Sequence, residues 1–185
     1  EVYSLASDGS LDQQTAFVEH QGSSVHPQRQ TKPYAHWIRT DPGNKFALVT
    51  DLGTDHIAVY RFDDRTGKLS ANDPAFFKVI GGSGPRHMAF HPNGKWLYAA
   101  MELSNEVLAL EWDAGKGTLN QFQAVKTLPA DYKDLSTAAE IAVDADHAGG
   151  KQALAAAQRR RRAGVDGERA LGFERARDPS FARRD

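Results

Sequence analysis

The chain repeats itself at an interval of 50 residues, and few folds accommodate such a period. Tyr34–Leu69 and Gly81–Leu119 share one layout. Lys45 answers Lys95, Phe46 answers Trp96, Ile57 answers Val107, Phe62 answers Trp112 and Asp63 answers Asp113. Gly67 and Leu69 answer Gly117 and Leu119 in the same way. Upstream of the first turn, matching His36 to His87 stretches the interval to 51. Tyr3, Leu5, Gly9 and Leu11 repeat the closing phrase of Tyr60, Phe62, Gly67 and Leu69, and a third copy begins at Thr137–Val143.

Within a copy the periodicity is that of strands. Met88, Phe90, Trp96, Tyr98, Val107, Ala109 and Trp112 fall in short apolar runs. His91-Pro92-Asn93-Gly94-Lys95 separates two of these runs, and Pro followed by Asn-Gly is turn chemistry between strands. Repeated strands and turns at this period predict an all-β fold, with β-propeller blades of four antiparallel strands. WD40 repeats are shorter and carry a Gly-His mark that is absent here. A two-sheet sandwich explains the period poorly. Residues 1–145 then hold about two complete blades plus parts of flanking ones. That is an incomplete ring with exposed strand edges. The chain opens at Glu1, which leaves room for an upstream segment. A strand is expected over Gln13–His20, followed by a polar loop from Gln21 to Pro33 that is too long for a hairpin. Ordered loops of that length are often functional.

The formal net charge of −1 conceals an asymmetry. Residues 153–185 hold nine Arg, no Lys and five acidic residues, so the remainder of the chain is acidic. The segment 146–185, rich in Ala and Arg, lies outside the repeat. Three readings stand open for it: a disordered basic tail, a helix over Ala153–Arg162 that binds an anionic partner, or a shifted reading frame of a GC-rich gene. Phe173 and Phe181 are its only aromatics, too few for stacking on bases, so no nucleic-acid partner is expected. No 18-residue apolar run exists to span a membrane. The 185 residues contain no cysteine, which excludes disulfides and thiolate chemistry and favours a cytoplasmic location.

Strand direction makes a geometric prediction about the polar residues. In antiparallel pairs the start of one strand lies beside the end of the next. Arg86 and His87 open an inner strand, Glu102 follows the second strand, His36 opens the neighbouring inner strand and Glu140 the third. The long loop delivers Arg29 and Gln30 towards the same rim. These groups are expected to converge at one mouth of the channel. The plainer alternatives are histidines that satisfy carbonyls and an ion pair between Arg86 and Glu102. His56 and His91 are expected to be solvated, and Asp41, Asp63 and Asp113 to serve turns. No metal-ligand spacing, phosphate-cradling glycine loop or nucleophile elbow is present.

Over residues 1–145 the chain resembles the seven-bladed propeller lactonases, the 6-phosphogluconolactonase type that also includes carboxy-cis,cis-muconate cyclases. The likeness rests on Gly22-Ser23-Ser24-Val25 with Pro27-Gln28-Arg29-Gln30, Ala35-His36, Asp51-Leu52-Gly53, and Gly84-Pro85-Arg86-His87 with Phe90 to Gly94. It continues through Glu102-Leu103, Thr127-Leu128-Pro129 and Ala138-Ala139-Glu140-Ile141. The resemblance implies a hydrolase acting on a small sugar-phosphate lactone, with no metal or organic cofactor. A lactonising cyclase or a non-catalytic binding propeller is the alternative. It implies catalytic roles for His36, Arg86 and Glu102; the strand-direction argument adds Arg29, Gln30, His87 and Glu140 as substrate-binding candidates. Glu102 or His36 would be the general base, with Arg86 on the oxyanion or the substrate's anion. The family's second arginine, in an Asn-Arg-Gly motif one blade later, has no counterpart to carry over; Arg175 is a faint echo. Tyr34 stands where the family often has another histidine.

Overall fold

The computed structural model describes residues 1–144 and a strand at 153–159. All its regular elements are strands. β1 (Val2–Leu5) pairs with β2 (Leu11–Ala16). β3 (Ala35–Thr40), β4 (Phe46–Asp51), β5 (His56–Asp63) and β6 (Lys68–Lys78) form one four-stranded antiparallel sheet in sequence order. β7 (Pro85–Phe90), β8 (Trp96–Met101), β9 (Glu106–Asp113) and β10 (Thr118–Lys126) form the next. β11 (Ser136–Val143) pairs with β12 (Ala153–Arg159). These are two whole blades between two half-blades.

Two observations explain why the repeat yields this arrangement. The first is core packing. Phe46, Leu48, Ile57 and Val59 of one blade meet Met88, Leu97, Met101, Leu108, Leu110 and Trp112 of the next in one buried cluster. Every residue of β4 is buried, because both faces of a blade's second strand are covered. Ala89 and Ala100 continue the packing onto Ala138 and Ile141 of the third copy. The inner strands β3, β7 and β11 thus lie side by side.

The second observation is turn geometry. Asn44 and Gly94 are left-handed at matched positions, as are Asp55 and Asn105, and so are Gly9, Gly67 and Gly117. Residues with short polar side chains or none tolerate this conformation. The register also corrects the expected offset. Ala35 pairs with Asp51 and Pro85 with Met101, so the interval stays at 50 through the inner strand. His36 is therefore the counterpart of Arg86, and Trp37 the counterpart of His87. Identity between two histidines had suggested otherwise.

Three further expectations change. The second strand ends at Ala16 rather than His20, because β1 offers only Val2–Leu5 to pair with. A strand, not a helix, occupies Ala153–Arg159: pairing with the open edge of β11 overrides alanine's helix propensity. His91 is buried, at 5% exposure. It stands 50 residues after Asp41 and does the same work. Asp41 accepts the Lys45 and Phe46 amides, while His91 Nδ1 accepts the Asn93 amide and its ring lies edge-on to Trp96. His56 is half-buried and stacked on Phe76. Asp63 and Asp113 serve turns as expected. The basic run and Arg175 lie outside the described residues, Arg159's backbone excepted.

Gly53 has a packing reason to be glycine. A Cβ there would sit 1.9 Å from the Lys32 carbonyl oxygen and 2.8 Å from the Tyr34 nitrogen, both backbone atoms. Gly53→Ala is expected to cost about 3 kcal/mol, at the upper end for overpacking. That corresponds to a fall in Tm of roughly 6–12 °C. A thermal melt within about 2 °C of wild type would show that the loop end yields freely.

Candidate active site

The polar residues at the rim owe their aim to β-bulges. In each inner strand the register skips one residue: His36 in β3, Arg86 in β7 and Ala139 in β11. A bulge rotates a side chain out of the alternation that the pleat would impose. Two of the three bulged residues carry polar groups to the rim, and His87 and Glu140 directly follow their bulges. Glu102 lies just past β8, its amide bonded to the Gly84 carbonyl at 2.7 Å.

Arg29 arrives on the long loop, which is clamped from beneath. Gln30 is fully buried. Its Nε2 donates to the Leu52 carbonyl at 2.8 Å, and its Oε1 accepts the His26 amide at 2.9 Å. Ser24 Oγ donates to Asp55 Oδ2, and the same carboxylate accepts the Gly82 and Gly84 amides. Asp55 therefore ties the loop of one blade to the entry of the next. With both ends of its amide occupied and no surface exposed, Gln30 is a fastener that presents Arg29. Its full burial leaves no atom at the surface for the substrate contact expected of it.

The other predicted residues come together. Glu102 Oε1 accepts from Arg29 Nη2, and Glu102 Oε2 lies 3.0 Å from Arg86 Nε. Arg86 Nη1 reaches His36 Nδ1 and His87 Nε2, each at 3.2 Å. His87 Nδ1 lies 2.7 Å from Glu140 Oε2, a close contact that the ring N–H approaches off-axis. His36 Nε2 stands 3.8 Å from Glu102 Oε2, beyond a hydrogen bond.

These contacts assign the protons. A guanidinium only donates, so the imidazole nitrogens facing Arg86 must present lone pairs. The ring protons then sit on His36 Nε2 and His87 Nδ1, the sides that face carboxylates. Burial, and next the Arg86 charge, hold the His36 imidazole below the ordinary histidine range, with Glu102 opposing them. His36 is thus neutral near pH 7. Burial pushes the Glu140 carboxyl up, but the His87 contact and the Ile141 amide outweigh it and leave it below the usual carboxylate range.

Exposure grades across the cluster. The Glu102 side chain is 9% exposed, Arg86 24%, His36 31% and Arg29 41%. A buried carboxylate thus fixes two guanidiniums whose outer edges remain accessible. An open groove of about 720 Å³ runs along the inner strands between Trp37, Met88 and Phe90 and reaches the turns at Pro42 and Pro92; of the cluster, Glu140 alone lines it. Among the described residues no group of three or more His, Asp or Glu side chains could hold a metal ion, and no helix is long and apolar enough to cross a membrane.

One cluster escaped the sequence reading. His20 Nδ1 donates to Asp51 Oδ2 at 2.6 Å, and the Tyr60 hydroxyl lies 3.0 Å from His20 Nε2. The partners are 31 and 40 residues from His20. The motif Asp51-Leu52-Gly53 was the one available signal, and it named only one of the three.

Comparison with known proteins identifies the family of the fold. The profile of the family described as "Lactonase, 7-bladed beta-propeller" matches residues 1–160, past the expected boundary at 145 and across β12. A Bacillus subtilis protein named 6-phosphogluconolactonase is 37% identical over 145 residues, covering 78% of this chain and 40% of that protein. A Lactobacillus plantarum protein of solved structure superimposes with a TM-score of 0.77 at 32% identity, over 85% of this chain and 43% of its own. The periplasmic gluconolactonase of Pseudomonas aeruginosa gives a TM-score of 0.77 at 31% identity, over 85% and 42%. The chain spans about two fifths of the length of the curated relatives it matches. With the fold, the blade interval and the profile in agreement, the chain belongs to the seven-bladed β-propeller lactonase family.

Proposed function

We propose that the protein carrying this chain hydrolyses a sugar lactone to the open-chain acid, with 6-phosphogluconolactone the first substrate to test. The observation that carries this reading is Arg86, fixed by Glu102 while donating to two neutral imidazoles. Lactone opening needs a positive group at the carbonyl oxygen, an activated water and a proton for the departing alkoxide. Arg86 supplies the first. His36, with its proton on Nε2, is suited to donate towards the ring oxygen. Arg29, the more exposed guanidinium, is placed to take the anionic arm of the substrate. Glu102 holds both guanidiniums in register, and both its oxygens are engaged in doing so. The named functions of the Bacillus subtilis and Pseudomonas aeruginosa relatives support a lactone substrate.

The reading needs no metal or organic cofactor and no nucleic-acid or membrane partner. We propose a cytoplasmic location with it, although one relative is periplasmic by name. Purified full-length protein is expected to accelerate the opening of 6-phosphogluconolactone over its spontaneous rate, corrected for buffer hydrolysis. Faster turnover of the unphosphorylated lactone would move the substrate assignment. Saturable binding of either lactone without hydrolysis would favour a non-catalytic propeller.

A further inference from the structure

The cluster places an acid and an oxyanion partner but leaves the water without an obvious base. Glu102 is committed to Arg29 and Arg86 through both oxygens. His36 has no carboxylate within hydrogen-bond reach of its Nε2. We propose that His87, backed by Glu140 across the gap between two inner strands, is the general base that activates the water. This rests on the lactone-hydrolase reading.

Three observations carry it. Arg86 fixes the His87 lone pair on Nε2, which leaves the proton on Nδ1. Glu140 Oε2 lies 2.7 Å from that nitrogen, against 3.8 Å for the equivalent approach of Glu102 to His36. Glu140 is itself held by the Ile141 amide on Oε1 at 2.9 Å, and it lines the open groove. A carboxylate on one imidazole nitrogen and a lone pair on the other is the arrangement that stabilises an imidazolium as it forms. The charged and titratable groups around His87 are Arg86 on its own strand, His36 on β3 and Glu140 on β11, with Glu102 reaching it only through Arg86. Trp37 is its apolar neighbour, ring centroids 6.2 Å apart.

The step balances as follows. The lactone carbonyl oxygen binds Arg86 and takes over the hydrogen that Nη1 had directed at His87 Nε2. Water attacks the carbonyl carbon as its proton passes to Nε2, and Glu140 bears on the resulting imidazolium. The tetrahedral oxyanion collapses, the ring C–O bond breaks, and the proton on the His87 imidazolium satisfies the alkoxide, while His36 Nε2–H hydrogen-bonds the departing oxygen. One water is consumed and one hydroxy acid released.

The test uses full-length protein and the corrected lactone assay. His87→Gln is expected to lower kcat by about 100-fold or more, the range for a lost general base. Glu140→Gln is expected to lower it about tenfold and to move the acid limb of kcat/KM to lower pH, because the imidazolium loses its anion. Glu140→Asp is expected to restore part of both. Nitrogen NMR of wild-type protein should find His87 as the Nδ1–H tautomer. Loss of less than threefold in His87→Gln overturns the assignment, as does an Nε2–H tautomer. An unmoved acid limb in Glu140→Gln removes Glu140 from the proposal. Wild-type protein without lactonase activity overturns the lactonase reading itself, and the proposed step with it.

Discussion

Arg86→Ala is expected to reduce kcat/KM for lactone opening by 100-fold or more, the usual consequence of removing one oxyanion donor. The geometry argues for the upper part of that range. Arg86 binds the buried Glu102 carboxylate and orients two imidazoles at once. Its loss leaves Glu102 with Arg29 alone, frees both imidazoles to change tautomer, and removes the positive group from the carbonyl site. Arg86→Lys should recover little, since an ammonium has one nitrogen where the guanidinium here uses two, Nε and Nη1, on three partners. Arg29→Ala should differ in kind. Arg29 touches Glu102 but neither imidazole, so its removal should raise KM more than it lowers kcat. Steady-state kinetics of the three variants would decide; an Arg86→Ala enzyme within threefold of wild type would falsify the assignment of the carbonyl site.

The residues whose position was legible in sequence share one property: their place follows from strand order. Arg86 at the start of β7, Glu102 after β8 and Glu140 in β11 had to meet because antiparallel strands bring starts beside ends. Arg29 was legible because the loop before β3 must return to that rim. What stayed hidden depended on which way single side chains turn. Nothing in Arg29-Gln30 says which residue is anchor and which is presented. The bulge at His36 was masked by a tempting match to His87, although the Lys45 to Lys95 interval was already 50. His91 looked solvated because Pro-Asn-Gly turns usually are, yet its equivalence to Asp41 was available. Ala153–Arg159 reads as helix by propensity, and only the open edge of β11 makes it a strand.

Asp51 is where sequence legibility was lowest and where the largest loss of stability is expected. Its carboxylate is fully buried. Oδ1 accepts the amides of Tyr34, Gly53 and Thr54 at 2.8, 2.9 and 3.2 Å, and Oδ2 accepts from His20. One side chain thus closes the turn after β4, fixes the entry to β3 and pins the start of the loop that carries Arg29. Asp51→Ala orphans the buried Gly53 and Thr54 amides, the part-buried Tyr34 amide and the His20 N–H. At about 1–3 kcal/mol for each unsatisfied group, and less than additive, the cost should reach about 4 kcal/mol. The expected fall in Tm is roughly 8–16 °C. Asp51→Asn should cost less, because its Oδ1 can keep the amides while His20 changes tautomer to accept from the new NH₂. The pH dependence separates the carboxylate's charge from its shape. Burial raises the Asp51 pKa, but the His20 contact and the backbone amides outweigh burial and hold it below the usual value. A depressed carboxylate contributes stability that is present above its unfolded pKa, about 3.9, and is lost as pH falls through the folded one. Wild-type protein should therefore shed part of its stability below about pH 4. In Asp51→Ala that part of the acid limb should vanish, so that the two melting curves converge as pH falls. Parallel curves down to pH 3 would mean that the amides, not the charge, need Asp51.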